Sequence, residues 1–368
     1  MAKSYSSLFI LLTAFLFNAC QTVEQISLDY MVPAEVSFPT EVRKVAIVNN
    51  AIGTPENKLL FEKDTIKGEP IAISRAIAYS NGDIQITTEA LAKEVANQNY
   101  FDQVVICDSA LRANDRFTRE NTLSQEDVEQ LTTDLNVDAI IALENVQMKA
   151  TKSLYGIRGI DYYRSLVDVK VRPVVSIYLP TRKTRMVAIA YSDSIFWEEE
   201  GVTAPEALSR LIPEKQMLKE ASEFAGIAPV KRFIPHWEKA ERYLFISGSV
   251  NMRDAAIYVR KNSWDKAFKL WSEEFQKTKS KKRKMRSALN IALYHEMNDS
   301  ISEAEVWAKK GQELAYEVDK VKEKLKLREE QFTMPNYVFS SRYLLQLKER
   351  SEQLPKLNAQ MRRFTNDF

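Results

Sequence analysis

The feature that most constrains this chain is a change of hydrophobic period near residue 246. Before it, short apolar runs alternate with amphipathic stretches; after it, apolar residues recur only at helical spacing. Strands alternating with helices build a largely parallel sheet with covered faces, whereas a sustained helical period builds layers of packed helices. The pattern predicts an α/β (α+β) N-terminal domain with a mixed sheet over residues 43–245. An all-α helical domain is expected over residues 246–368.

Within the first part, Arg43 to Asn49 reads as a buried strand. A helix capped by Thr87 or Thr88 follows, with Leu91, Val95 and Ala96 on its inner stripe. The strand Gln103 to Cys107 comes next, then a helix opened by Ser124 and Asp127, spaced as a capping box. Its inner face is Val128, Leu131 and Leu135, and the strand Asp138 to Leu143 follows. Val167, Val169 and Val171, then Val175, Ile177 and Leu179, alternate across Pro173. Val187, Ile189 and Tyr191 repeat the pattern after a turn over 180–184, which predicts an antiparallel hairpin. Pro173 places its strand at an edge or a bulge. Thr203, Pro205 and Glu206 start a helix, Pro213 breaks or restarts it, and Gly226 ends it. This order resembles the small α/β domains of envelope lipoproteins, among them the curli-secretion lipoprotein family and the N-terminal domain of the periplasmic TolB protein. The likeness is one of fold and carries no activity.

In the second part, two segments share one spacing. The first is Ala255, Tyr258, Trp264, Ala267 and Trp271; the second is Ala292, His295, Ile301, Ala304 and Ala308. Small residues let paired helices approach while bulky ones fill the seam. The pattern resembles tetratricopeptide helix pairs, with Asn298-Asp299 as a turn. Helices over 318–331 and 337–353, punctuated by Pro335 and Pro355, are expected to complete the stack.

The N-terminus begins with one basic residue, Lys3, then an apolar run from Leu8 to Phe17, then Ala19-Cys20. This is the order of a secretory signal peptide, and the run is too short to span a bilayer, which takes about 20 residues. Residues 1–19 are expected to be the leader and 20–42 a tether. Ala19-Cys20 resembles the lipobox of bacterial lipoproteins. That resemblance implies a diacylglycerol on Cys20, palmitate-type acylation and a place on the outer membrane. The segment Gln21 to Glu24 lacks the lysine-plus-acidic cluster of surface-exported lipoproteins, which favours the periplasmic face. As a whole the chain resembles uncharacterised Bacteroidota lipoproteins with an N-terminal α/β domain and C-terminal tetratricopeptide-like helices. The residues carrying this are Cys20, Pro33-Ala34-Glu35-Val36, Pro235-His236-Trp237, Trp264 and Ala267. On this reading the α/β domain stands near the anchor.

Chemistry is harder to find. The formal charge of +2 implies neither a nucleic-acid partner nor a strongly acidic one. Nine glycines in 368 residues argue against phosphate-cradling loops. No Gly-x-Ser-x-Gly elbow, Walker loop, His-Glu-x-x-His or paired Cys-x-x-Cys is present. His236 lies in a junction, His295 in the repeat seam, and Cys107 in an apolar run as a small hydrophobe. Gly156-Ile157-Arg158-Gly159, beside Tyr155, Tyr162 and Tyr163, reads as a strand connection, and Glu198-Glu199-Glu200 as a solvated turn. Seven basic residues fall between Lys277 and Arg286. They form either a solvated interhelix loop or, through Lys281, Lys282, Arg283 and Lys284, a contact for an anionic surface.

The expected function is therefore a non-enzymatic envelope adaptor without cofactor or metal. It would touch the membrane through its lipid and a protein or peptide through its helices, with Tyr294 and Trp307 as candidate contacts if exposed. A ligand-binding or enzymatic α/β domain with accessory helices is the alternative, and a subunit of an assembled envelope complex is a third possibility.

Overall fold

The computed structural model describes residues 22–52, 62–64, 72–112, 122–157, 162–326 and 333–367. The leader, Cys20 and residues 158–161 lie outside these. The chain divides into an α/β unit, Pro33–His236 with Gln360–Phe368, and a helical unit, the chain up to Val32 with Trp237–Ala359.

The α/β unit has the expected parallel centre. Strand β2 (Lys44–Asn49) lies between β5 (Gln103–Ala110) and β6 (Ala139–Gly156), parallel to both. Side chains alternate across a sheet, so β2 presents Val45 and Ile47 to one face and Ala46 and Val48 to the other. Helix α1 (Ile84–Asn97) covers the first with Leu91 and Val95. Helix α2 (Gln125–Leu135) covers the second with Val128. Ser124 and Asp127 form the expected reciprocal cap of α2. The cap of α1 is Asp83, not a threonine: Thr87 and Thr88 lie inside the helix and turn their hydroxyls back onto the carbonyls of Asp83 and Ile84. Ala96 is exposed, and Ala92 takes its place on the inner stripe.

Strand β6 runs for 18 residues, far past the expected Leu143. Its first residues pair with β2 and its later ones with β4 (Ala72–Ser80), which also pairs with β3 (Glu62–Asp64). Along its other edge runs β7 (Tyr163–Tyr178), antiparallel, so Gly156 and Ile157 lead into a hairpin connection. Strands β8 (Val187–Ala190) and β9 (Asp193–Gly201) share the far edge of β7, and β7–β8 is the expected hairpin. Pro173 stands in the gap between them: Val171 is the last residue paired with β9 and Val174 the first with β8. An interior strand therefore accommodates a proline, opposite a bulge at Leu143/Asn145 of β6. Glu198, Glu199 and Glu200 belong to β9 rather than to a turn, and Glu200 pairs with Arg164 at 2.6 Å.

Helices α3 (Ala204–Arg210), capped by Thr203, and α4 (Glu214–Ile227), which follows Pro213, divide as expected at the proline. Gly226 does not end α4; it lies inside the helix where α1 crosses. A Cβ there would come within 2.3 Å of the Thr87 carbonyl oxygen. The last residues of the chain also belong to this unit. The Gln360 amide bonds the backbone of Ala34 and Val36, and the buried Arg363 guanidinium lies 4.2 Å over the Tyr100 ring.

The helical unit contains α5 (Val250–Arg260), α6 (Trp264–Lys277), α7 (Lys281–Met297), α8 (Ile301–Val318), the short α9 (Val321–Lys324) and α10 (Pro335–Met361) apart from its last two residues. Helices α5 to α8 pack each on the next, as stacked helix pairs do. Ala255, Ala267, Trp271, Ala292, Ile301, Ala304 and Ala308 are buried, and Tyr258 and Trp264 pack against the same core. His295 meets the Phe268 and Tyr294 rings, and burial lowers its pKa against the opposing pull of Glu303. Pro335 begins α10, but Pro355 does not interrupt it.

The expected tether holds a strand. Strand β1 (Val23–Val32) pairs with β10 (His236–Phe245) in a two-stranded ribbon, and both belong to the helical unit apart from His236. The first described residues after Cys20 are thus built into the helical unit, not into the α/β domain. Among the described residues no helix is long and apolar enough to cross a membrane.

Candidate functional site

Two concave sites stand out, one in each unit. That of the helical unit begins with how β10 is fastened to α7. Asn290 of α7 accepts from the Phe245 N–H at 2.9 Å and donates to the Phe245 carbonyl at 2.8 Å, imitating a neighbouring strand. Farther along, Arg242 grips Glu296 through Nε at 2.9 Å and Nη2 at 2.8 Å. Glu296, 1% exposed, also accepts the Tyr343 hydroxyl at 2.8 Å and lies 3.4 Å from Arg350 Nη1. Burial and the Glu296 charge push the Tyr343 hydroxyl pKa well above its ordinary value. A buried pair with every donor engaged holds its elements in one arrangement, whatever its net energy.

These fastenings frame a groove of about 570 Å³ between β10, α7 and α10. Leu289 and Leu293 of α7 line it on one side, and Val338, Phe339, Arg342, Tyr343 and Gln346 of α10 on another. Residues 239–243 of β10 all border it. Tyr30 of β1 borders it as well, and because alternate side chains of a strand point to opposite faces, a cavity met by consecutive residues of β10 extends from a face of the ribbon to that strand's edge. Strand β10 has β1 as its one partner among the described residues. Val338 is 62% exposed, and the Tyr243 and Phe339 rings meet edge to face at 5.3 Å. Neither Lys239 nor Arg342 has an ion-pair partner among the described residues. The groove thus offers the edge of a strand whose Glu241 carbonyl already accepts from Arg242, an aromatic wall, and the charges of Lys239, Glu241 and Arg342.

The second site lies in the α/β unit. Leu143 pairs with Val175 and Asn145 with Val174, which leaves Glu144 as the extra residue of a bulge. Its carboxylate, 4% exposed, accepts the Tyr178 hydroxyl at 2.5 Å. Burial raises the Glu144 pKa, opposed by hydrogen bonds from Tyr178 and Asn50. The Tyr178 hydroxyl is pushed up to about 12 by burial and by Glu144. Asn50 also accepts Arg112 Nε at 2.8 Å, and Arg112 Nη2 donates to the Thr122 carbonyl at 3.1 Å. Beyond this network is a cleft of about 350 Å³ lined by Asn50, Leu111, Arg112, Leu123, Asp127, Gln130, Leu131 and Asp134. It stands at the carboxyl ends of β2 and β5, whose following helices cover opposite faces of the sheet. Open α/β sheets place their ligands at such crevices.

Of the residues singled out from the sequence, few meet at either site. Tyr294 stacks on Phe268 at 4.4 Å and Trp307 meets Phe275 at 5.1 Å, both half-buried and away from the groove. His236 begins β10 with Nδ1 3.3 Å from the Ile234 carbonyl oxygen, and Cys107 is half-buried against the Ala46 and Val48 cluster. Lys281, Lys282, Arg283 and Lys284 form the first turn of α7 rather than a loop. Among the described residues no group of histidine, cysteine and carboxylate side chains is arranged to hold a metal. Sequence reasoning missed Glu144, Tyr178, Arg242, Glu296, Phe339 and Arg342. Only Glu144 carried a local signal, as a charge interrupting the apolar run from Ala139 to Val146.

A family model described as Domain of unknown function (DUF8603) matches residues 42–245, and one described as Domain of unknown function (DUF6340) matches residues 253–349. No curated protein and no solved structure matches the chain.

Proposed function

The chain belongs to the family defined by the domain of unknown function DUF8603, and from its geometry we propose that it is a lipid-anchored, non-enzymatic adaptor of the cell envelope whose helical unit binds an extended segment of a partner protein. The observation that carries this is the groove bordered by the edge of β10. An extended peptide can add to such an edge through main-chain hydrogen bonds and gain specificity from side-chain pockets. Tyr243, Val338 and Phe339 suit an apolar anchor residue, and Arg342 suits a carboxylate beside it. The order Lys3, Leu8 to Leu12, Ala19-Cys20 supports lipid attachment at Cys20, on the periplasmic face of the outer membrane.

The test is a peptide array of extended segments probed with the full chain. Segments pairing an apolar residue with a neighbouring Asp or Glu are expected to bind, and Phe339→Ala and Arg342→Glu to lose that binding. Uniform failure to bind, or variants that bind as the parent does, would overturn the reading.

A second reading draws on the polar cleft at Asn50 and Arg112. In it the α/β unit holds a small polar ligand and the helices are accessory. Small polar compounds that raise the melting temperature of the parent but not of Asn50→Leu would favour it over the adaptor. A flat response across such compounds would remove it.

A further inference from the structure

The helical unit shows which of its ends the lipid would hold. The Thr22 carbonyl accepts from the Ile246 N–H at 3.2 Å, so the chain leaves the described structure beside the end of β10. Thr22 is two residues from Cys20, and two residues reach about 7 Å when extended. The loop that follows, Ser247 to Ser249, lies against the start of α7. Arg286 Nη1 donates to the Ser247 carbonyl at 2.9 Å, and Gly248 lies against Arg283 and Arg286.

This end is basic and partly apolar. Lys282 is exposed, and neither it nor the half-buried Arg286 has a carboxylate partner among the described residues. Val250, which begins α5 directly after the loop, is 60% exposed. The first turn of α7 holds four consecutive basic residues and no acidic one, against the preference set by the helix dipole. Lys281 and Arg283 do have partners, Glu317 and Glu274, which leaves Lys282, Lys284 and Arg286 without a carboxylate among the described residues; Lys284 lies over the Phe275 ring and Arg286 over the Phe245 ring, so the freest of these charges is that of Lys282.

We propose that the end of the helical unit formed by residues 246–250 and the first turn of α7 rests on the anionic headgroups of the membrane that holds Cys20. The occupant follows from where the chain exits and from the sign of the charge. This rests on the anchoring reading, and the two fail separately.

Metabolic labelling with palmitate tests the anchor alone: the parent should be labelled and Cys20→Ser should not. Amide exchange on the purified full chain, added to vesicles of phosphatidylglycerol or of phosphatidylcholine, tests the surface. Exchange over 246–250 should slow on phosphatidylglycerol only. Combined glutamine substitution of Lys281, Lys282, Arg283 and Lys284 should weaken the binding, by about fivefold for each charge that reaches the surface. Lys282→Glu alone should weaken it measurably and serves as the milder variant. Equal exchange on both vesicles in a palmitate-labelled protein would overturn the surface and leave the anchor. Slowing on phosphatidylglycerol in an unlabelled protein would support the surface and overturn the anchor.

Discussion

Arg242 and Glu296, 54 residues apart in sequence, face each other through two hydrogen bonds of 2.9 and 2.8 Å, with both side chains shielded from water. The carboxylate is shared with Tyr343 and Arg350, so this one residue ties β10, α7 and α10 together. Those three elements are the walls of the groove, and the function proposed depends on their staying in place.

Glu296→Gln should therefore be costly. It would leave the buried Arg242 guanidinium without its counter-charge and Arg350 with Asp299 alone, and breaking a buried pair typically costs about 3–5 kcal/mol. Denaturant unfolding of the full chain measures the loss. Asp299, whose side chain is 86% exposed against Arg350, provides the contrast. Asp299→Ala should cost under about 1 kcal/mol.

Gly226→Ala tests the crossing of α1 and α4. The new methyl would meet the Thr87 carbonyl and the Leu91 backbone nitrogen, neither of which can move alone. Overpacking of this kind costs about 1–3 kcal/mol. A thermal melt of the variant matching the parent would show that the helices separate easily.

Glu144→Gln should show a pH-dependent effect. The folded-state pKa is raised above the ordinary 4.5, chiefly by burial, so the folded form holds the proton more tightly than the unfolded chain. The resulting stabilisation is fully present below the unfolded value and is lost as pH rises through the folded one. Glutamine stays neutral throughout. Relative to the parent, the variant should thus be least stable in acid and gain as pH rises to neutrality. Melting curves across that range that stay parallel would contradict the burial of an ionising carboxyl.

His295 gives the opposite dependence. Its folded-state pKa is lowered by burial against Phe268 and Tyr294, so its contribution is present above the ordinary 6.5 and is lost as pH falls. His295→Leu should melt with a smaller acid loss than the parent between neutral pH and mild acid. An unchanged pH profile would mean that the imidazole is freely hydrated.

Much of the fold was legible because its signals are local. Val45 to Val48, Ala139 to Leu143 and the alternation from Val167 to Ile177 each declare a buried strand within a few residues. The Ser124 and Asp127 cap and the Ala267 and Ala304 seam are equally local. What could not be read depends on distant pairing. Val23–Val32 resembles a tether until it meets His236–Phe245, more than two hundred residues on, and nothing in either segment names the other. Gly226 reads as a helix stop because the helix that needs its missing side chain is α1, far back in the chain. Both concave sites follow the same rule. Glu296 and Arg242 are unremarkable charges on their own elements, and become a constraint only when the ribbon is laid on α7.

The most direct test of the central claim is photo-crosslinking in living cells from within the groove. A photoreactive residue at Tyr243 or Phe339 should yield the same single adduct, and one at the exposed Lys309 of α8 should not. The adduct should map to an extended segment with an apolar residue beside a carboxylate, and Arg342→Glu should abolish it. Equal adducts from all three positions, or an adduct indifferent to Arg342, would mean that the groove is not where the partner binds.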